Sequence, residues 1–150
     1  MIDRLARDKF AELLRHLVAG QISNDEFEDN LPLGSSDRAV SAIFWNGAWM
    51  LYDDMREYKL TGKYRLPRDA KREVARWILF LKTDFEYEWP RIQGIFRFPW
   101  YLIVIFTLGL VIPIARYKLH QAGDISVWPF LRITDLEQEK STPPYLRAVA

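Results

Sequence analysis

The chain contains no cysteine among its 150 residues. This excludes disulfides, thiolate nucleophiles and cysteine-ligated zinc or iron–sulfur sites, and it suits a cytoplasmic origin. Histidine is nearly as scarce. The two present, His16 and His120, lie far apart, and neither has the spacing of a metal motif or a nucleophilic triad. His16 reads as a surface partner of Glu12, four residues before it, and His120 as a residue flanking an apolar stretch. The seven glycines are scattered, so no phosphate-cradling loop is visible. Charge of one sign is also lacking. The 21 Lys and Arg against 20 Asp and Glu leave a net of +1, which argues against a dedicated nucleic-acid binder. The first eight residues, MIDRLARD, alternate charge with apolar positions and leave no room for a signal-peptide core. No cofactor, metal ion or small-molecule substrate is expected from any motif.

What is present is apolar and aromatic. A 49% hydrophobic content with six Trp excludes a chain that is disordered throughout. Residues 2–19 place Ile2, Leu5, Ala6, Phe10, Leu13, Leu14, Leu17 and Val18 at steps of three and four, predicting an amphipathic helix. Asp3/Arg7, Arg4/Asp8 and Glu12/His16 fall at i,i+4 on its wet side, and Gly20 is a natural stop. Ser23 with Glu26 has the spacing of a capping box for a short helix to about Asn30. A loop follows, and then a helix over 37–58 is predicted, capped by Ser36 or Asp37. Gly47 in its middle suggests the close approach of another element. A further helix is predicted over 68–86, its inward stripe formed by Val74, Trp77, Ile78, Leu81 and Phe85, with Trp89-Pro90 as the stop.

The character changes at Phe98. FPWYLIVIFTLGLVIPIA, residues 98–115, is an uncharged run of eighteen. As a helix it would measure roughly 27 Å against a hydrocarbon core of about 30 Å. Arg97, Trp100 and Tyr101 stand at one end, and Arg116, Tyr117 and Lys118 at the other, as interfacial anchors do. Pro113 cuts the run short, and its β-branched residues also suit a buried strand or a half-inserted hairpin. The spanning helix is the favoured reading. Lys and Arg are balanced on its two flanks, so the cytoplasmic placement of the N-terminal part is only a default.

The expected fold is therefore mostly α. A small helical bundle over 1–92 is followed by a hydrophobic, membrane-inserting helix over 98–118 and a tail over 119–150 with little regular structure. Three constellations bear on function. Asp53 and Glu57 share a face of the predicted helix and could serve as acid and base or hold a hard cation; a solvated helix end is the plainer reading. In DFEYEW the carboxylates Asp84, Glu86 and Glu88 alternate with Phe85, Tyr87 and Trp89. If extended, the two sets face opposite ways, making Asp84, Glu86, Tyr87, Glu88 and Trp89 a candidate partner surface. Basic residues gather over 56–76, where they suit anionic headgroups or a plain solvated face. Trp-Pro occurs twice, at 89–90 and 128–129.

These features favour a non-enzymatic interaction protein attached to the inner membrane, with a protein partner of unknown identity. The alternative is a soluble helical partner-binding module in the cytoplasm, an adaptor or immunity-like inhibitor, with 98–115 as buried core. An enzyme relying on the carboxylates is the least favoured reading.

Overall fold

The computed structural model describes residues 1–90 and 122–142. Among them are five α-helices and no β-strand, in agreement with a mostly α chain. They are α1 (Arg4–Val18), α2 (Asn24–Asp29), α3 (Arg38–Asn46), α4 (Arg68–Leu81) and α5 (Ile133–Ser141). Single 3-10 turns lie at Ala48–Leu51, Gly62–Tyr64 and Ile125–Val127. The chain divides into two compact units, Met1–Tyr87 together with Glu137–Ala150, and Glu88–Leu136.

The first unit is organised by α1, which packs against α2, α3 and α4. Asp3 caps α1 by accepting the Ala6 N–H, and Gly20 ends it in the left-handed region at φ 69°. The helix buries Ala6, Phe10, Ala11, Leu14 and Leu17. Phe27 of α2, Val40, Ile43 and Phe44 of α3, and Val74, Trp77, Phe80 and Leu81 of α4 complete the core. Each fully buried Leu, Ile or Phe contributes about 1.5–3 kcal/mol. The capping box of α2 is present in both directions: Glu26 N–H donates to Ser23 Oγ, and Ser23 N–H to the Glu26 carboxylate.

Four expectations need correction. Leu5 is exposed, whereas Arg7, expected on the wet side as the partner of Asp3, is fully buried. The helix expected over 37–58 ends at Asn46. Gly47 there adopts φ −140°, ψ −74°, and the chain turns into the 3-10 corner Ala48–Leu51. The Trp77 ring lies so close that a Cβ on Gly47 would stand 2.8 Å from it, which bears out the close approach of another element. The helix expected over 68–86 stops at Leu81, because the carbonyls of Leu81, Thr83 and Phe85 are taken by arginines from α1. The tail also holds regular structure, since α5 lies within it, with Leu136 and Glu139 buried one turn apart.

In the second unit the two Trp-Pro segments meet. The Trp89 indole N–H donates to the carbonyls of Pro129 (3.0 Å) and Phe130 (3.2 Å). Trp89, Val127 and Phe130 are buried. Gly123 lies against Leu131, and Asp124 N–H donates to the Leu131 carbonyl. Among the described residues no helix is long and apolar enough to cross a membrane. The run 98–115 and its expected anchors Arg97, Trp100, Tyr101, Arg116, Tyr117 and Lys118 lie outside the described residues.

Candidate functional site

The strongest cluster of charge in the first unit is internal. Arg7 donates from Nε to Asp37 Oδ2 (2.6 Å) and from Nη2 to Asp37 Oδ1 (3.2 Å). Its Nη1 donates to the carbonyls of Thr83 (3.0 Å) and Phe85 (2.9 Å). Four of its five N–H donors are thereby satisfied. The Phe80 ring lies beneath the guanidinium at 5.5 Å. Asp37 also accepts the Ala39 N–H as the cap of α3, and the Asp3 N–H. Burial works to raise the Asp37 carboxyl. The Arg7 guanidinium and the N–H groups of Asp3 and Ala39 outweigh it and hold the group below the usual carboxylate range. Asp3 is lowered too, by the Ala6 N–H and the Ser35 hydroxyl. Such a pair joins the starts of α1 and α3 to the end of α4. These four donors all face structural acceptors, so the pair has the character of a brace.

Around this brace, Arg4 donates to the Leu81 and Thr83 carbonyls and pairs with Asp8 and Asp84, while Lys82 reaches Asp8 at 2.7 Å. Cations at a helix C-terminus are favoured by the helix dipole, which is the physical reason this end of α4 gathers them.

The sequence-derived candidates are distributed unevenly. Asp53 and Glu57 do not share a helix face, since the chain over 52–58 is non-helical. Asp53 accepts the Met55 N–H, and Glu57 accepts the Ser23 hydroxyl at 2.7 Å. His16 pairs with Glu12 at 3.0 Å, as its spacing suggested. Among the described residues no group of three His, Asp or Glu is arranged to hold a metal ion. DFEYEW is non-helical: Asp84, Glu86 and Glu88 are exposed, Phe85 is half-buried, and Tyr87 and Trp89 are buried. Tyr87 meets Phe80 edge-on at 6.3 Å and carries Arg38 over its ring. What this strip turns outward is therefore its carboxylates.

The surface that stands out corrects an expectation: from the sequence, Trp45, Trp49 and Met50 widen the apolar stripe of the helix over 37–58 and suggest burial on most sides, whereas the structure exposes them. Trp45 is 56% exposed, Trp49 36% and Met50 72%, and all lie at the α3 corner. Trp45 stands on the outer side of α3, and Trp49 and Met50 lie in the 3-10 turn after Gly47. The two indoles are 5.6 Å apart and both meet the buried Phe44 edge-on, at 4.8 and 5.7 Å. From Trp49 the ring contacts run inward through Tyr52 and Phe27 to Phe10. An exposed aromatic pair anchored in this way is held in place by the core. Burial and the nearby carboxylates of Glu28 and Asp54 raise the Tyr52 phenol, keeping it neutral. The signal that could have located this face was Gly47 itself, read as a helix break.

Comparison of the chain with known protein families, with curated proteins and with solved structures finds no match.

Proposed function

We propose that this chain is a membrane-attached interaction protein without catalytic chemistry of its own. In this reading the uncharged run 98–115 holds the chain at the bilayer, and the helical unit presents a contact surface. The observation that carries the reading is the outward-facing Trp45–Trp49–Met50 corner. Large apolar side chains grouped at the surface mark contact sites, and indoles suit boundaries with one apolar and one wet side. Support also comes from the carboxylates considered for catalysis. Asp53 accepts the Met55 N–H and Glu57 the Ser23 hydroxyl, so the two do not form the shared face that acid–base work would need.

Fractionation tests this. After expression of the full chain, membranes are washed at high salt and then at alkaline pH. Retention through both washes is the expected result. Recovery in the supernatant before any wash would overturn membrane attachment and leave a partner-binding module with 98–115 as core.

A further inference from the structure

We infer that the α3 corner and the basic segment following it form a second membrane contact, selective for anionic headgroups. This deepens the membrane reading above and rests on it.

The argument begins with charge. Residues 56–72 hold seven Lys and Arg against two acids, a local net of +5 in a chain whose total is +1, so the rest of the chain is net acidic. Lys63, Arg65 and Arg68 are exposed. Of the two acids, Glu57 accepts the Ser23 hydroxyl and Asp69 pairs with Arg72 at 3.4 Å. Upstream, Asp53 accepts the Met55 N–H and Asp54 is exposed beside it; with these two acids the corner and segment together, 49–72, hold seven Lys and Arg against four acids, a net of +3.

Contacts join this segment to the aromatic corner. Trp49 meets Tyr52 at 6.3 Å, the adjacent Asp53 N–H donates to the Tyr58 hydroxyl at 2.7 Å, and Tyr58 stacks on Tyr64 at 4.3 Å. Lys63 lies over the Tyr64 ring at 4.8 Å. Asn24 fastens the intervening loop, donating to the Arg56 carbonyl and accepting the Tyr58 N–H. Met55, 82% exposed, projects from that loop. Ring and hydrogen-bond contacts thus tie the exposed Trp and Met to the segment that carries the exposed cations. Indoles favour the headgroup level, and Lys and Arg are drawn to the negative surface potential of anionic lipid. A protein partner would need matching apolar and acidic features, whereas an anionic bilayer presents both in every orientation. The bilayer is therefore the occupant the charge pattern favours.

The lack of native cysteine allows a single probe. Met50→Cys, carrying an environment-sensitive fluorophore, is placed in the full chain and bound to vesicles of phosphatidylcholine alone or mixed with phosphatidylserine. The expected result is a blue-shifted label, quenched by spin-labelled lipid, on the phosphatidylserine vesicles only. Raised salt should weaken the shift. Combined Lys63→Gln, Arg65→Gln and Arg68→Gln should lower partitioning about five-fold per charge removed, with an unchanged melting curve.

A label that stays water-exposed on both vesicles, in a chain that withstands an alkaline wash, overturns the second contact and leaves membrane attachment standing. A label that inserts in a chain removed by that wash keeps this contact and overturns stable insertion by 98–115. Equal insertion in both lipids overturns the anionic selectivity. Protection of the label only on addition of a purified protein assigns the corner to that protein instead.

Discussion

At the scale of single residues, Arg7 and Asp37 carry the heaviest consequence. Removing one member leaves the other charged, buried and unmatched, which costs about 3–5 kcal/mol. Arg7→Ala should therefore lower the stability of the first unit by about that amount, measured by urea unfolding. A loss below about 1 kcal/mol, within the range of an exposed pair, would remove the brace from the account. The same pair sets an acid limb. The Asp37 carboxyl is depressed in the folded chain, so its contribution is fully present above the ordinary Asp value of about 3.9. It is lost as pH falls through the lower folded value. Wild-type stability should drop on acidification below about pH 4, and Asp37→Asn should flatten that limb; an unchanged acid slope in the variant would refute the assignment. Asp3 and Arg7 at i,i+4 looked like a surface pair because that spacing reports only on their own helix. Asp37 stands thirty residues from Arg7, and nothing local marks the two as partners.

At the scale of elements, local chemistry was legible and termini set by distant groups were not. The caps at Ser23 and Asp37 and the stop at Gly20 all serve neighbours within a few residues; Asp3, read as a residue inside the first helix, is its cap instead. The end of α4, by contrast, depends on Arg4 and Arg7, more than seventy residues away. Gly47 was legible as a close approach but not as a break, because its apolar neighbours continue the helical stripe on both sides. Gly47→Ala should cost about 1–3 kcal/mol through overpacking. The loss should shrink in a Trp77→Leu background, as a double-mutant cycle would show; an additive cycle would mean that Trp77 is not what the new methyl meets. Ser23→Ala removes a cap and the donor to Glu57, and a loss of about 1 kcal/mol is expected by thermal unfolding.

For the molecule as a whole, mostly α organisation was readable from apolar periodicity, while the outward Trp45–Trp49 corner was not, since a stripe pattern cannot distinguish a widened core face from a contact surface. Stability and attachment should separate there. Trp45→Ser with Met50→Ser should change unfolding free energy by no more than about 1 kcal/mol, as expected for exposed side chains. Binding to phosphatidylserine vesicles should nevertheless weaken. A collapse in stability would mean that the corner supports the fold.

The brace also bears on synthesis. Arg7 leaves the ribosome early, but two of its acceptors are the carbonyls of Thr83 and Phe85. Until that part of the chain emerges, α1 can form as an isolated amphipathic segment, but it cannot bury its guanidinium without leaving donors unmatched. The brace therefore closes only once residue 85 has emerged. The side of α1 that packs against α4 waits until then, exposed to whatever chaperone or lipid surface is nearest.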